Sequence, residues 1–240
     1  MSNKLATKGV PSVTQDNKLI RAAYTMTTLE KRLLLVAMSK LNPMTEVKAD
    51  KPAPVDRLTI SADDWKHAFP HDPKPYQSLA RACDGLLGRQ WRIDHAEGVY
   101  TKYNWLSQCA YNKPKGVVEL RFTYDTSLRL HGLKVNFTTL QLHQIGQLSS
   151  FNQIRLYELL CQFRRTGYLT ISLTELREAL DQVDKNPRWA DFKAQVLDPS
   201  VRAITKQTDL TVTYKPVKEV RRIVGVEFVF RVDQQGELDL

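Results

Sequence analysis

The sequence is poor in cysteine and contains no long apolar run. Its three cysteines, Cys83, Cys109 and Cys161, are odd in number and far apart, which argues against a disulfide scaffold and against a cysteine zinc site. No stretch approaches the roughly 18 consecutive apolar residues of a membrane span. Residues 1–17 lack the apolar centre of a signal peptide. These absences predict a soluble protein of a reducing cytoplasm, with no membrane as partner.

The motifs of two enzyme classes are also missing. A rolling-circle nickase combines a nucleophilic tyrosine with two metal-binding histidines that flank one apolar residue, and the five histidines include no such pair. His67 and His71 are four residues apart, but Pro70 breaks the helix that would align them. The phosphate loop GxxxxGK followed by Ser or Thr is absent as well. We therefore expect no enzymatic activity, no metal and no cofactor.

Positive charge is abundant and unevenly distributed. The 240 residues include 35 lysines and arginines against 26 aspartates and glutamates, a formal net charge of +9, which indicates an acidic partner. Residues 1–133 contain 20 basic and 13 acidic side chains, and residues 185–222 contain nine basic and four acidic ones. A solvated face and a nucleic-acid footprint explain the second cluster equally well, so its place in the fold must decide between them.

A short segment of the sequence occurs twice. Residues 58–69 align with residues 169–180 at an offset of 111 positions, about the length of one domain. Each copy begins with the β-prone run Leu-Thr-Ile-Ser, and its serine is followed three positions later by an acidic residue. Ser61 with Asp64, and Ser172 with Glu175, therefore predict capping boxes that start a helix directly after a short strand.

The flanks of the two copies correspond as well. Upstream, one helical pattern begins at residues 27–30 and is apolar nearly all round, so we expect it to be deeply buried, and its counterpart covers 151–163. Downstream of each copy, the pattern predicts a second helix and then a hairpin. The predicted helices cover 75–87 and 189–206, the second with a kink or a restart at Pro199. The predicted hairpins pair 90–95 with 116–124 in the first copy and 210–214 with 225–232 in the second. An extra strand at 100–105 should lie between the arms of the first hairpin.

The order of helix, short strand, helix, helix and hairpin is that of a winged helix, and it occurs twice. We therefore predict an α+β fold of two tandem winged-helix domains related by internal duplication. The predicted divisions are a flexible N-terminal tail (1–17), an N-terminal domain (18–133) and a C-terminal domain (134–240). Residues 131–147 form the predicted linker, which contains apolar side chains and should be partly packed.

Two such units could read two successive major grooves of DNA, because the groove admits one α-helix and presents a distinct pattern for each base pair. In the second copy, an apolar stripe leaves one helix side for polar contacts; the stripe consists of Trp189, Phe192, Val196, Val201 and Ile204. The candidate DNA-binding residues are Arg188, Asp191, Lys193 and Gln195 on this helix, Arg221 and Arg222 between the hairpin arms, and Lys74, Tyr76, Gln77 and Arg81 in the first copy. Two alternatives remain. The winged-helix units could be protein-interaction modules, and Arg221 and Arg222 could belong to a solvated turn that does not contact DNA.

Several segments resemble the iteron-binding replication initiators of plasmids. The similar segments are 17–24, 30–34, 155–160, 173–180, 192–199 and 226–230. The resemblance runs in consistent order from Asn17 to Val232. It implies two winged-helix domains that bind repeated origin sequences as a monomer, with the C-terminal domain as the main reader. Arg188 and residues 193–195 match the position of the family's DNA-reading helix, although Ala194 departs from the basic residue found in some relatives.

The resemblance also implies further partners. Family members help to melt an adjacent AT-rich stretch and recruit the host initiator and the replicative helicase. As homodimers, formed through the N-terminal domain, they repress their own gene at its operator and limit copy number. The rival interpretation is a dedicated transcriptional repressor with the same double winged helix, because sequence-specific binding of double-stranded DNA fits both functions and only origin activity separates them.

Overall fold

The computed structural model of the chain describes residues 12–43, 45, 57–96, 98–133 and 136–233. Within these ranges the helices are α1 (Asn17–Arg21), α2 (Thr28–Ser39), α3 (Ala62–Ala68), α4 (Pro75–Leu87), α5 (Tyr124–Leu130), α6 (Leu142–Gln147), α7 (Phe151–Cys161), α8 (Leu173–Ala179), α9 (Trp189–Phe192) and α10 (Asp198–Gln207), with a π-helical segment at Lys193–Leu197. The strands are β1 (Ser12–Asp16), β2 (Arg57–Ser61), β3 (Gln90–Ala96), β4 (Val99–Asn104), β5 (Leu106–Asn112), β6 (Val117–Phe122), β7 (Phe137–Gln141), β8 (Tyr168–Ser172), β9 (Leu210–Glu219) and β10 (Arg222–Val232).

Two three-stranded antiparallel sheets have the same topology. The strand order is β2-β6-β5 in one sheet and β8-β10-β9 in the other. In both sheets, the short strand of the repeat copy pairs with the last strand of its unit. The equivalent pairs Ile60↔Val118 and Ile171↔Val226 lie at matching places in the two sheets. The first unit comprises α2, β2, α3, α4, β5 and β6, and the second comprises α7, β8, α8, α9, α10, β9 and β10. The prediction of two winged-helix units is thus confirmed.

Hydrogen-bonded caps begin the helices that follow the repeated strands. The Ser61 hydroxyl accepts from the Asp64 N–H at 3.0 Å, and the Asp64 carboxylate accepts from the Ser61 N–H at 2.8 Å. Ser172 and Glu175 exchange the equivalent bonds at 3.1 and 3.3 Å. Both predicted capping boxes are confirmed. They satisfy backbone donors that would otherwise lack a partner in the first turn of α3 and α8.

Helices α2 and α7 form the centre of the molecule. Residues 33–38 of α2 and 154–161 of α7 are buried, which confirms the prediction of a deeply buried first helix. Four charged side chains are buried among them: Glu30, Lys31, Arg155 and Glu158. The apolar side chains of both units belong to one continuous core. Because α2 belongs to the first unit and α7 to the second, the two units share this centre.

The predicted first hairpin is wrong. The run 90–95 does not pair with 116–124; β3 pairs with β4 and β6 pairs with β5 and β2. The expected extra strand is β4, which belongs to this additional hairpin. Both observed hairpins join neighbours in the chain across short turns that contain a glycine with positive φ, Gly98 at 71° and Gly116 at 63°. Closing these short loops costs less chain entropy than pairing runs twenty residues apart.

The predicted flexible tail is wrong for its last residues. Residues 12–16 form β1, which pairs antiparallel with β7, Val13 opposite Leu140, and Asn17 begins α1. The Val13 side chain is fully buried, so apolar burial and strand pairing hold this segment in place. Residues 1–11 lie outside the described residues. The boundary after residue 133 stays a prediction, and β7 on its far side pairs with a strand from the predicted tail.

Candidate nucleic-acid interface

The second helix of the second unit runs from Trp189 to Gln207 through α9, the π-helical segment and α10. Phe192, Val196 and Ile204 are buried, and Trp189 and Val201 pack against the core, so the predicted apolar stripe is confirmed. The side chains that face away from it are exposed; they are Arg188, Lys193, Gln195, Arg202 and Lys206, while Asp191 is half-buried in the first turn. This surface of the helix is therefore basic.

The helix changes its hydrogen-bond pattern just before a proline. The Asp198 N–H donates to the Lys193 carbonyl, five residues back instead of four. Pro199 has no N–H and so cannot supply the bond that an α-helix would place next. The helix continues through Pro199, which lies in the first turn of α10. Such π-helical turns occur often at functional sites, and this one lies at the predicted reading residues 193–195.

One predicted reading residue is held by an acidic neighbour. The Lys193 ammonium lies 2.7 Å from Asp198 Oδ2, and the Tyr214 hydroxyl donates to Asp198 Oδ1 at 2.5 Å. The Lys193 hydrogen bond, and then that of Tyr214, holds the pKa of Asp198 below its ordinary value. Asp198 is therefore ionised at neutral pH and partly neutralises Lys193. Arg188 has no ion-pair partner among the described residues.

Arg177 orders the loop that leads into this helix. Its guanidinium donates to the carbonyl oxygens of Gln182, Lys185, Asn186 and Pro187 at 3.0–3.3 Å. The same group lies 4.4 Å from the centre of the Phe192 ring. Burial lowers the pKa of Arg177, which still leaves it protonated. These contacts connect α8 to the start of α9 and so position Arg188. No sequence pattern indicated them, because all four acceptors are backbone groups.

The wing of the second unit is a long two-stranded ribbon. Strands β9 and β10 pair up to Glu219↔Arg222, with the turn at residues 220–221. The predicted contacts Arg221 and Arg222 lie at this tip and are exposed, as is Lys218. None of these three side chains forms an ion pair within the described residues. Their charges are therefore open to a partner.

The first unit presents a similar but sparser surface. On α4, Leu79, Cys83 and Leu86 are buried, and the predicted residues Lys74, Gln77 and Arg81 are exposed on the other side. Tyr76 is half-buried and packs against the core, which leaves less of it available to DNA. Asp72 accepts from the Lys74 N–H at 2.9 Å and from the Trp65 indole at 2.8 Å, which fixes the start of α4.

Several exposed basic side chains were missed by the sequence prediction. Arg202 and Lys206 lie one turn apart on α10, and their spacing of four residues would have placed them together. Lys113 and Lys115 are exposed in the turn between β5 and β6. The Lys-Pro-Lys-Gly sequence there is typical of a turn. The sequence prediction did not place a turn at these residues, because it paired other strands in the first hairpin. Both units thus combine a helix and a wing with basic side chains.

Known proteins match both units. Residues 12–161 match the family described as "Initiator Replication protein, WH1", and residues 172–230 match "Initiator Rep protein, WH2". The chain belongs to the initiator replication protein family. As a member it contains one domain of each type in the order WH1, WH2.

A relative and a solved structure are similar over most of this chain. An "Uncharacterized 27.6 kDa protein" of Escherichia coli is 26% identical over 226 residues, which cover 88% of this chain and 92% of the relative. The "Crystal structure of Pi initiator protein in complex with iteron DNA" superimposes with a TM-score of 0.76 at 22% identity, over 94% of this chain and 99% of that one. This structural likeness shows a shared fold of two units.

Two further properties concern the described residues alone. Among them no helix has both the length and the apolar character needed to cross a bilayer. The same residues contain no group of three or more histidine, cysteine, aspartate or glutamate side chains that could hold a metal ion.

Proposed function

We propose that the chain is a plasmid replication initiator that binds repeated origin sequences, iterons, as a monomer. The observation that carries this proposal is the pair of equivalent winged-helix units, each with an exposed basic helix and a basic wing, on a chain of the initiator replication protein family. The structural neighbour with two such units is described in complex with iteron DNA. Two units on one chain suit two successive major grooves of a single duplex site.

The second unit is the main reader in this proposal. Arg188 at the N-cap and Gln195 on the helix are both exposed, and Arg188 forms no ion pair among the described residues. Arginine donates two hydrogen bonds to guanine O6 and N7, and glutamine pairs with adenine N6 and N7 in the major groove. Lys206 and Arg202 further along the helix suit phosphate oxygens, and so do the arginines of the wing. Lys74, Gln77 and Arg81 have the corresponding roles in the first unit.

The finer steps of initiation rest on family membership. We propose that the bound monomers promote opening of the adjacent duplex and loading of the host helicase through the host initiator. We further propose that dimers formed through the first unit bind the operator of the protein's own gene, repress it and limit copy number. A dedicated repressor would use the same helices and wings, so DNA binding alone does not separate the two functions.

Replication in trans separates them. A plasmid that carries the DNA flanking this gene, but not the gene, is introduced into cells that supply the protein from the chromosome at graded levels. An initiator maintains the plasmid, and Arg188→Ala abolishes maintenance. Failure of the wild-type protein to maintain the plasmid at every level of supply, together with specific binding of the flanking DNA, would instead establish the repressor.

Binding itself tests the assignment of the reading helix. The probe is the duplex that the wild-type protein selects from a random library of about 30 base pairs, roughly three helical turns. We expect Arg188→Ala and Gln195→Ala each to weaken specific binding about 5- to 150-fold, since one bidentate base contact contributes about 1–3 kcal/mol.

The matched control is Arg231→Ala, which removes an exposed arginine paired with Asp233 at the opposite end of β10 from the wing tip. Gel retardation at fixed salt is the measurement, with far-UV circular dichroism to verify folding. Equal losses for Arg188→Ala and Arg231→Ala would show a non-specific charge effect and would contradict this assignment.

A further inference from the structure

Val220 occupies an unfavourable backbone conformation at the tip of the second wing. Its φ is 54°, in the left-handed region. The other described non-glycine residues with positive φ are Asn136, Asp181 and Asn186, residue types whose short polar side chains tolerate this region. Valine is branched at Cβ and fits it poorly. The turn at Val220 is therefore strained in a way that the other three are not.

The turn type makes the choice of valine more unusual. Residues 220–221 form a two-residue connection between Glu219 and Arg222. Arg221 is not among the residues with positive φ, so only the first central residue is left-handed. Glycine is preferred at this position of such a hairpin turn because it has no Cβ. A glycine or an asparagine would close this hairpin with less strain.

Folding does not explain the valine either, because its side chain is 98% exposed and has no neighbours to pack against. Local strain combined with full exposure of an apolar side chain is typical of a residue kept for contact with a partner. The charges beside it identify the chemistry of that partner. Lys218, Arg221 and Arg222 surround the valine, with Glu219 as the single acidic residue of the tip, which suits a polyanion.

The shape of the ribbon indicates how the tip reaches such a partner. β8 pairs with β10 only as far as Ser172↔Gly225, so the ribbon beyond Gly225 has two strands. It extends for three residues, about 10 Å, to the turn. A register shift between Ile223 and Gly225 marks a bulge, and bulges bend and twist a ribbon away from its sheet. The tip therefore projects beyond the body of the unit.

We propose that Val220 is an apolar contact to the minor groove of the duplex whose major groove holds the helix from Trp189 to Gln207. The proposal rests on the DNA binding proposed above. The minor groove is about 6 Å wide, too narrow for a helix, and a two-residue turn with one small apolar side chain at its apex fits it. The negative potential of the minor groove attracts arginine side chains such as those beside the apex. Other proteins place apolar side chains against base steps in this groove.

The test compares variants of Val220 on the wild-type selected duplex. Val220→Asn and Val220→Gly remove the apolar group and relieve the strained φ, and Val220→Leu keeps an apolar group. The matched control is Val99→Asn, because Val99 is an exposed valine in the hairpin of β3 and β4 in the first half of the chain.

We expect the Asn and Gly variants to bind at least about fivefold more weakly while their melting temperature rises by about 2–4 °C, the shift that loss of one strained residue gives in a chain of this size. Val220→Leu should stay within about twofold of wild type. Hydroxyl-radical footprinting, which cuts at the minor-groove sugars, should lose one protected patch with Val220→Asn and Val220→Gly and keep it with Val220→Leu.

Salt dependence separates contact from indirect effects. Arg221→Ala should lower the slope of log affinity against log salt by about 0.9, because one phosphate contact is lost. Val220→Asn should leave that slope unchanged. A slope that falls with Val220→Asn would mean that the valine only positions the arginines, and would overturn the proposal.

The remaining outcomes are equally decisive. Unchanged affinity of Val220→Asn and Val220→Gly on a duplex that the wild type binds specifically overturns the minor-groove contact and leaves the proposed function intact. A lower melting temperature for both variants would show that Val220 is not strained, and this result overturns the proposal as well. Failure of the wild type to select any duplex refutes the proposed function itself, which is a separate and recognisable result.

Discussion

Asp198 offsets part of the positive charge of Lys193, a residue that we propose contacts DNA. Its carboxylate accepts from both Lys193 and Tyr214, so the lysine lies beside an anion on the surface that we expect to approach phosphates. Residues five apart are not neighbours on an ordinary α-helix, where i,i+3 and i,i+4 pairs meet. The π-helical segment between them has a wider turn and brings them together. For this reason the spacing in the sequence did not predict the pair.

We expect Asp198→Asn to strengthen non-specific DNA binding, because the substitution removes one negative charge and frees the Lys193 ammonium. The salt slope should steepen by up to about 0.9 if the freed lysine contacts a phosphate. Titration of a scrambled duplex at several salt concentrations measures both quantities. Asp233→Asn is the matched control, since it removes an equal charge from an ion pair at the distant end of β10. Weaker binding by Asp198→Asn would show that the ion pair positions the lysine for DNA.

At the scale of elements, the repeated strand-to-helix unit depends on its serine caps. Ser172 lies at the start of α8, where its hydroxyl accepts from the Glu175 N–H, and the side chain is exposed. Removing a serine N-cap costs about 0.5–2 kcal/mol in other proteins. We expect Ser172→Ala to lower the free energy of unfolding by about 1 kcal/mol, measured by urea denaturation.

The control for this cap is Thr174→Ala, which changes an exposed residue of the first turn of α8 and leaves the cap in place. Its effect should stay within about 0.5 kcal/mol of zero. A loss for Thr174→Ala equal to that for Ser172→Ala would contradict the role of the capping box.

Elements specified by neighbouring residues were predicted well from sequence. The capping boxes, the buried helix α2 and the bounds of α4 at Pro75–Leu87 follow from spacing within a few turns. The first hairpin was not predicted correctly, because four extended runs between Gln90 and Phe122 compete to pair with one another. Strand β1 was missed because its partner β7 lies more than a hundred residues away. Arg177 was missed for a different reason: its partners are only five to ten residues away, but they are backbone carbonyls, which no pattern of side chains indicates.

For the molecule as a whole, a buried ionic network joins the two units. Glu158 of α7 lies 2.7 Å from the Lys31 ammonium of α2 and 3.0 Å from Arg155, with all three side chains fully buried. The Tyr24 hydroxyl accepts from Lys31 at 2.9 Å and from Arg155 at 2.6 Å, and Gln15 donates to Glu158 at 2.8 Å. Two cations therefore share one carboxylate in the network, with Tyr24 and Gln15 as further hydrogen-bond partners. Such a network contributes less net stability than its short distances suggest, but loss of one member leaves a buried charge without compensation.

We expect Glu158→Gln to lower the free energy of unfolding by about 3–5 kcal/mol, because Lys31 and Arg155 would face each other without the carboxylate. The control Glu119→Gln breaks a pair with Arg57 that is 3.9 Å long and largely exposed, so it should cost less than about 1 kcal/mol. Urea denaturation at neutral pH measures both. A loss under about 1 kcal/mol for Glu158→Gln would show that the units do not depend on this network.

The network also predicts how stability depends on pH. Burial opposes ionisation of Glu158, but the charges of Lys31 and Arg155 outweigh it and hold the pKa of this carboxyl below its ordinary value. A carboxyl with a lowered pKa in the folded state stabilises the protein fully above the unfolded value of about 4.3, and that contribution is lost as pH falls through the folded value. The wild type should therefore lose stability steeply below about pH 4, and Glu158→Gln should flatten that fall. Parallel curves for the two proteins between neutral and acidic pH would mean that Glu158 is not the group that titrates. The loss would then belong to the other carboxyls with lowered pKa values, which are Asp64, Asp72, Asp198 and Glu227.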